Sequence, residues 1–366
     1  MSHAFDVTPL FVQERPPEIP RGRIQVITPE TGSSAFVAML DKVAEESLTW
    51  RWDRATGQHT LYSPPQPGRM IRLTPLSEGR LLSATGRCGE GHAEARLWSA
   101  PTEGTMSIAR VSGRLLWAAR DLSRIVLVDR EGGIVQSSLV EGGAPVRRWA
   151  TELFESKRWD PFVPRPVASA GGERVFMVQG NHRVEALSLA EEAPRPLFEA
   201  DDELTRLMLH PDGARLITAS FDGRVMVHDA TSGAPLMTLD GGDRVVIADA
   251  MRLSDDGARL FVGYDDMTFR VWDMTTGALR ATLHVPEEDD TLHGETRLVR
   301  FHTDGVHALA SHQNHVVHVW NTVTGEHAVT WRGPDPITTC RCDAQGRVWL
   351  GDIEARITVL AGTSPT

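Results

Sequence analysis

The amino-acid sequence predicts an all-β protein assembled from copies of one four-stranded unit. Apolar and polar residues alternate with a period of two over many short segments, a pattern typical of half-buried β-strands. Blocks of this kind recur at 207–239, 251–283 and 299–331, and a shorter copy follows at 340–362. The copies are spaced 41 to 48 residues apart, and a regular spacing in this range indicates a repeat architecture.

Glycines mark the turns of each unit. One glycine follows the first strand, and in most units a second closes the turn after the third strand, as in the pair Gly213 and Gly233. Glycine is favoured there because tight hairpin turns require a positive φ. The same spacing extends backward through the chain and gives eight units. Their first glycines are Gly32, Gly79, Gly113, Gly172, Gly213, Gly257, Gly305 and Gly346.

The ends of the third strands carry a recurring dipeptide. It reads Trp-Asp at 52–53 and 272–273, and weaker forms end in Trp98-Ser99, Val128-Asp129, His228-Asp229 and Trp320-Asn321. An acidic turn residue stands seven positions before the final aspartate, as Asp222 and Asp266. These residues resemble the WD-repeat β-propeller family, closely over 166–362 and more loosely over 22–140. The matching motif residues are Trp52, Asp53, Trp98, Asp222, His228, Asp229, Asp266, Trp272, Asp273 and Trp320.

The resemblance implies a single β-propeller of four-stranded antiparallel blades. In the family the turn acid joins a hydrogen-bond network with Ser or Thr, His and Trp, and Ser220 and Ser311 lie near the serine position. Counting strand-like segments favours eight blades, with 1–21 holding a candidate ring-closing strand, 22–362 the propeller and 363–366 a tail. The alternative is seven blades, with a helix at 144–158 inside the link 140–165.

Composition narrows the class of function. The 366 residues carry a net charge of -11 and no long run of Lys or Arg, which argues against nucleic acid or an anionic membrane as partner. Three cysteines form no disulfide framework, and the first residues lack the pattern of a secretory signal, so we expect a cytoplasmic protein. Only two of the 38 basic Lys and Arg residues are lysines, a bias typical of GC-rich bacterial genomes.

No motif in the sequence predicts catalysis. A glycine-rich phosphate loop, a Gly-x-Ser-x-Gly elbow and a His-Glu-x-x-His pair are all missing from it. The six histidines of 302–327 lack the ligand spacing of a zinc site, so we interpret them as ordinary turn and strand residues. We therefore expect no catalytic residues, metal or cofactor. The alternative is a propeller enzyme with a channel-centred metal or cofactor, of the hydrolase, lactonase or quinoprotein kind.

Acidic residues concentrate in three successive links between units of the C-terminal half. In an up-and-down blade, these links share one face with the turns that follow the second strands, so we expect an acidic arc on one rim. We predict that the arc docks a basic segment of a partner protein, since charge complementarity speeds association. The arc residues are Glu199, Asp201, Asp202, Asp240, Asp243, Asp265, Glu287, Glu288, Asp289 and Asp290. The alternative for each loop is a solvated acidic surface.

The link 140–165 is a second candidate for partner binding. It contains Trp149, Phe154 and Trp159, and aromatic residues are enriched in binding hot spots. The alternative is that the segment packs against the propeller or forms a blade strand. Together these features predict a non-enzymatic protein–protein interaction scaffold or adaptor, a subunit of a larger bacterial complex.

Overall fold

The computed structural model describes residues 5–30, 34–41, 44, 46–86, 93–99, 107–140, 144–151, 164–242, 244–286, 296–312 and 315–362. Within these ranges the chain forms thirty-two β-strands and a single turn of 3-10 helix, Ser77–Gly79. The strands form eight four-stranded antiparallel sheets, numbered here as blades 1 to 8. The prediction of an all-β propeller with eight blades is confirmed.

Blades 1 to 4 follow one another along the chain after the strand β1 (Asp6–Gln13). Blade 1 contains β2 (Gly22–Pro29), β3 (Ser34–Asp41), β4 (Glu46–Asp53) and β5 (His59–Pro67). Blade 2 contains β6 (Arg69–Pro75), β7 (Leu81–Gly86), β8 (Glu94–Trp98) and β9 (Ser107–Ser112). Blade 3 contains β10 (Arg114–Ala118), β11 (Ile125–Val128), β12 (Ile134–Ser137) and β13 (Pro145–Trp149). Blade 4 contains β14 (Val167–Ala168), β15 (Arg174–Gln179), β16 (Arg183–Ser188) and β17 (Arg195–Glu199).

Blades 5 to 8 complete the ring. Blade 5 contains β18 (Leu204–Leu209), β19 (Arg215–Ser220), β20 (Val225–Asp229) and β21 (Pro235–Leu239). Blade 6 contains β22 (Val246–Leu253), β23 (Arg259–Tyr264), β24 (Thr268–Asp273) and β25 (Leu279–His284). Blade 7 contains β26 (Thr296–Phe301), β27 (His307–His312), β28 (Val316–Asn321) and β29 (His327–Arg332). Blade 8 contains β30 (Ile337–Cys342), β31 (Val348–Asp352), β32 (Ile357–Gly362) and β1.

The first strand of each blade lies nearest the axis of the ring. First strands of neighbouring blades contact one another, as β26 does with β22 on one side and β30 on the other. They therefore line a central channel, as in other propellers. Links between blades and turns after second strands lie on one face of the ring, which we call the link face. Turns after first and third strands lie on the opposite face, which we call the turn face.

The core consists of apolar layers between facing blades. Ile217 and Val227 of blade 5, for example, pack in one cluster with Leu260 and Val262 of blade 6. Alternating side chains of each strand reach the layers on the two faces of its sheet. The motif tryptophans are buried in these layers. Their exposed fractions are 1% for Trp52, 1% for Trp98, 4% for Trp272 and 0% for Trp320.

The ring is closed by the two ends of the described chain. β1 pairs antiparallel with β32, from Asp6 opposite Gly362 to Gln13 opposite Ile357. Phe11 of β1 also contacts Trp52 of blade 1, with ring centroids 5.0 Å apart. Since β1 supplies the fourth strand of blade 8, every blade has the same number of strands. This strand also covers the edge of β32, which would otherwise be open to pairing with another chain.

Blade 3 departs from the glycine spacing. Gly113 lies between β9 and β10 rather than after a first strand, and Gly132 lies in the turn between β11 and β12. Val128-Asp129 therefore ends a second strand, so its assignment to a third strand was wrong. The reason is that Gly113 alone links blades 2 and 3, with φ at 136° and room for no side chain: a Cβ would lie 2.9 Å from the carbonyl oxygen of Val128.

The alternative of a helix at 144–158 is also wrong at its start. Residues 145–149 form β13, which pairs with β12 as the fourth strand of blade 3. Residues 152–163 lie outside the described part of the chain. The run of Arg147, Arg148 and Trp149 alternates in the strand: Trp149 turns inward, whereas Arg148 contacts Asp129 at 2.5 Å on the surface.

On the turn face, arginines at the start of second strands join successive blades. Arg174 of blade 4 donates to the carbonyl oxygen of Gly213 in blade 5 at 2.7 Å. Arg215 of blade 5 donates to the carbonyl oxygen of Met274 in blade 6. Arg259 of blade 6 donates to the hydroxyl of Thr322 in blade 7 at 2.8 Å. Because guanidinium donors satisfy buried carbonyl groups, these contacts fix the orientation of each blade on the next.

Candidate functional site

The link face brings several predicted acidic residues together between blades 4 and 5. Glu199 ends β17, and Asp201 and Asp202 follow it in the link that leads to β18. Asp222 lies in the turn between β19 and β20, on the same face. All four line one cavity of about 180 Å³. Three links were expected from the sequence to share one rim of the ring. In the structure, the link between blades 4 and 5 and the turn between β19 and β20 line the same cavity.

The floor of this cavity is aromatic. The ring of Phe198 stacks on the ring of His228, with centroids 3.8 Å apart and planes inclined by 10°. His228 stands where a tryptophan stands in the better-matched units, and its Nδ1 lies 3.3 Å from the carbonyl oxygen of Gly233. Burial lowers the pKa of His228, which favours a neutral imidazole at pH 7. The cavity thus joins an uncharged, stacked floor to an acidic mouth.

Asp222 is held in place by its own turn. The hydroxyl of Ser220 donates to Asp222 Oδ1 at 2.5 Å, and the backbone N–H of Arg224 donates to the same oxygen at 3.1 Å. This contact realises the serine–aspartate part of the network that the family resemblance implied. The guanidinium of Arg224 lies 3.4 Å from Asp222 and 3.9 Å from Asp201. One exposed cation therefore faces the carboxylates of the cavity mouth.

Phe221 is a residue of this site that the sequence analysis missed. It follows β19 in the turn to β20, and 51% of its surface is exposed. Its backbone N–H donates to the carbonyl oxygen of Glu203 in the link, at 2.8 Å. An exposed aromatic ring fixed beside a cavity is typical of a binding hot spot. The sequence signal was present, because Phe221 interrupts an otherwise polar turn, but exposure follows only from the fold.

Blade 6 continues the acidic surface. Asp240 and Asp265 are both exposed on the link face, and the backbone N–H of Asp265 donates to the carbonyl oxygen of Val245 at 3.0 Å. Asp266 in the same turn accepts from the hydroxyl of Thr268 at 2.6 Å and lies 3.5 Å from Arg244. Burial raises the pKa of Asp266, but the two hydrogen bonds from Thr268 and the charge of Arg244 outweigh it and lower the pKa.

The other motif acids serve as turn caps. Asp229 and Asp273 each accept hydrogen bonds from two backbone N–H groups of the following turn, at 2.7 to 3.0 Å. Asp53 does the same in blade 1, at 2.8 and 3.2 Å. The hydrogen bond from Arg280 and those from the turn hold the pKa of Asp273 well below its usual range. These carboxylates build the blades and are not free to bind a partner.

The aromatic residue predicted for partner binding in the third link lies in the core. Trp149 is 2% exposed, and its indole N–H donates to the carbonyl oxygen of Glu191 at 2.8 Å. It therefore packs between blades 3 and 4, as the alternative had it, because β13 turns this side chain inward. The remaining predicted partner residues lie outside the described ranges. They are Asp243, Glu287, Glu288, Asp289, Asp290, Phe154 and Trp159.

Histidines of blade 7 have structural contacts. His302 Nε2 lies 2.7 Å from the carbonyl oxygen of Gly346 in blade 8, and Asp304 lies 2.6 Å from Nδ1 of His307. Asp304 also lies 3.1 Å from Nδ1 of His302. Across the described ranges, no group of three or more His, Cys, Asp or Glu side chains is placed to hold a metal ion. Within the same ranges no helix is long and apolar enough to span a membrane.

Family comparison agrees with this architecture. Residues 197–229 and 233–273 match the family model WD40, described as "WD domain, G-beta repeat". The matched residues run from β17 to β24 and include the cavity between blades 4 and 5. The chain therefore contains WD40 repeats within an eight-bladed propeller. Proteins built on WD40 propellers are typically scaffolds for protein interactions and are generally not enzymes.

Solved structures of the same architecture superpose on nearly the whole chain. The C-terminal WD40 domain of Sif2 superposes with a TM-score of 0.69 at 14% identity, over 98% of this chain and 100% of that one. The computationally designed Ika8 protein gives 0.68 at 14% identity, over 97% and 99%. Sqt1 of Chaetomium thermophilum, bound to the N-terminus of the ribosomal protein L10, gives 0.68 at 13% identity, over 93% and 97%. No curated protein sequence matches the chain significantly.

Proposed function

We propose that this WD40 propeller is a non-enzymatic scaffold that docks a basic segment of a partner protein on its link face. The site is the cavity between blades 4 and 5, with its acidic mouth and the exposed ring of Phe221. The observation that carries the proposal is the convergence of Glu199, Asp201, Asp202 and Asp222 on one cavity beside an exposed aromatic anchor. A partner segment with Lys or Arg beside an apolar side chain fits both features.

The pairing state of the carboxylates supports this choice of site. In blade 8 the carboxylates of Asp335 and Asp352 lie 2.6 and 3.0 Å from one guanidinium, that of Arg356, and Glu14 lies 2.8 Å from it. Those charges are neutralised within the fold. By contrast, the side chain of Asp201 is 94% exposed and lies 3.9 Å from the guanidinium of Arg224. Weakly paired, exposed carboxylates are the ones that can attract an incoming cation.

Comparison with Sqt1 is consistent with the proposal, since a propeller of this fold holds the terminus of another protein. We further propose that the scaffold acts within a bacterial, cytoplasmic multi-protein complex and that any catalytic domain belongs to a partner. The basic character of the docked segment and the composition of the complex are parts of this proposal. The alternative, a channel-centred enzyme, requires a stoichiometric metal or chromophore in the purified protein. Metal analysis and an absorption spectrum test it directly.

A matched pair of variants tests the docking site. The double variant Asp201→Lys, Asp202→Lys reverses two charges at the cavity mouth. The control Glu191→Lys, Glu192→Lys makes the same change of charge on the turn face of the same blade, where both side chains are exposed. Proteins captured from an extract of the native organism are compared by quantitative mass spectrometry. We expect the first variant, but not the control, to lose a partner that the unaltered protein retains.

Two further results complete the test. Phe221→Ala should lose the same partner, because the aromatic anchor and the acidic mouth belong to one site. Retention of every partner by the Asp201→Lys, Asp202→Lys variant would contradict the proposed site. Equal losses in the control would show that net charge, and not this cavity, governs binding.

A further inference from the structure

Three arginines occupy equivalent positions on the first strands of blades 6, 7 and 8. Arg252, Arg300 and Arg341 are each the next-to-last residue of their strands, β22, β26 and β30. These strands are neighbours along the channel, since β26 contacts both β22 and β30. The structure therefore places three guanidinium groups at the same height of the channel wall. Blade 5 has Met208 at this position.

The contacts of the cluster are close. Arg300 Nε donates to the carbonyl oxygen of Cys340 at 3.2 Å, and a terminal nitrogen of Arg341 donates to the same oxygen at 3.0 Å. The guanidinium groups of Arg300 and Arg341 thus share one acceptor. The two nitrogens that donate to it lie no farther apart than the sum of the two hydrogen-bond lengths. Arg252 is exposed and lies within electrostatic range of both.

The cluster has no counter-charge among the residues that the structure describes. None of the three arginines forms an ion pair there, although many other arginines of the propeller do, such as Arg356 with Asp335. The hydrogen bonds of Arg300 and Arg341 use only part of their donor capacity, because each guanidinium carries five N–H donors. Arg300 donates to Cys340 and Val299, and Arg341 donates to Cys340 alone. Several of their N–H donors therefore have no partner among the described residues.

Three like charges in this position oppose one another. Burial deep within the ring, together with the charges of Arg341 and Arg252, lowers the pKa of Arg300 to about 9. Burial and the charge of Arg252 also lower the pKa of Arg341. An arrangement that disfavours its own charge is stabilised when an anion enters it. Such arrangements concentrate at functional sites.

We propose that Arg252, Arg300 and Arg341 form an anion site in the central channel that binds a multiply charged phosphate-type oxyanion. A carboxylate has two oxygens and matches one guanidinium fork. A phosphoryl group presents three or more oxygens and at least one further charge, and so accepts from several forks at once. The channel wall thus carries a ligand site of opposite electrostatic character to the acidic link face, and the two are independent.

Thermal unfolding with inorganic anions tests the site. The unaltered protein is compared with Arg300→Gln and Arg341→Gln, and with Arg110→Gln as control, an exposed arginine on the outer strand β9. Phosphate and pyrophosphate should raise the melting temperature of the unaltered protein and the control above the value in chloride or acetate of equal ionic strength. Calorimetric titration should show roughly 10- to 100-fold weaker pyrophosphate binding by either channel variant.

A second readout separates ligand binding from a structural role. Without phosphate, Arg300→Gln should melt at the same temperature as the unaltered protein or above it, since one repulsive charge is gone. With pyrophosphate present, the unaltered protein should melt at a higher temperature than Arg300→Gln. A nucleoside triphosphate that binds more tightly than pyrophosphate would identify a nucleotide as the source of the phosphate, and equal or weaker binding would identify a free phosphate compound. Equal stabilisation by acetate and pyrophosphate, or unchanged pyrophosphate affinity in both channel variants, would overturn the proposal.

Discussion

Blades 1 to 3 and blades 4 to 6 are connected in different ways. Gly68 alone joins β5 to β6, and Gly113 alone joins β9 to β10. Residues 200–203 and 240–245 connect blades 4 to 5 and 5 to 6. A single-residue link leaves no chain outside the sheets, whereas the longer links carry the exposed acidic side chains. The comparison teaches that link length sets how much surface a blade offers to partners, while the sheets themselves remain alike.

The turn face differs between blade 2 and blades 4 to 6. Arg174, Arg215 and Arg259 each reach into the next blade, as described above. Arg80 occupies the corresponding place in blade 2, where its guanidinium donates to Ser77 of its own turn in two hydrogen bonds, both at 3.5 Å. The second region is therefore held together by polar contacts between blades on one face and is free to vary its links on the other. Four predictions test this division.

The largest effect is expected from Gly113→Ala. The substitution places a Cβ at 2.9 Å from the carbonyl oxygen of Val128 on a backbone with φ at 136°. We expect the free energy of unfolding to fall by about 3 kcal/mol, measured by urea denaturation. Gly242→Ala is the control in a longer link, where φ is 70° and no atom lies within 4 Å of the new Cβ. It should cost about 1 kcal/mol. Equal losses would mean that link length imposes no constraint.

Removing an arginine contact between blades should have the next largest effect. Arg259→Met leaves the methylene stem but removes the donor to Thr322 and the cation 5.0 Å above the ring of Phe301. A loss of about 2 kcal/mol in the free energy of unfolding is expected, because these contacts are largely buried. Arg80→Met in blade 2 should change stability by less than about 0.5 kcal/mol. A large loss in the Arg80 variant would contradict the distinction between blade 2 and blades 4 to 6.

The cavity between blades 4 and 5 should make stability depend on pH. Burial lowers the pKa of His228 in the folded state, so the unfolded state binds the proton more readily. This contribution is complete above the unfolded-state pKa of about 6.5 and is lost as the pH falls below it. His228→Phe should flatten the slope of unfolding free energy just below pH ~6.5, which is at most about 1.4 kcal/mol per pH unit. Phe198→Leu retains the imidazole and should keep the slope.

The smallest effect on stability is expected on the link face. Asp201→Lys, Asp202→Lys should change the free energy of unfolding by less than about 0.5 kcal/mol, since Asp201 is nearly fully exposed. The same variant should associate more slowly with the partner that the unaltered protein captures, and the difference should diminish at high salt because surface charges are screened. Surface plasmon resonance at two salt concentrations measures this. A strongly destabilised variant would show that the acidic link supports the fold instead.

Most of the fold could be predicted because its signals are local. The alternation of apolar and polar residues, the turn glycines and the Trp-Asp ends each depend on a few neighbouring residues. Together they predicted the eight blades and the positions of the motif tryptophans. The frame of blade 3 was mispredicted because Gly113 satisfies a link and a turn equally well in sequence. Phe221 and the cavity depend on how two blades meet, which no local pattern encodes.

The channel arginines show a different kind of limit. Arg252, Arg300 and Arg341 stand at the same place in three aligned repeats, in MRLSDDG, VRFHTDG and CRCDAQG. The register was therefore visible in the sequence. Their convergence was not, because 41 to 48 residues separate each from the next and only the closed ring brings them together. A search for charged residues at first-strand positions of successive repeats would have found them.

Pairing of β1 with β32 has a consequence for the order of folding. The contact joins residue 6 to residue 362, whereas every other blade is built from strands adjacent in sequence. Local hairpins form first because closing a short loop costs less entropy than closing one that spans the chain. We therefore expect the ladder that makes the ring continuous to form last. Until then β32 has an open edge, and a second molecule can supply its own β1 in an exchange of strands.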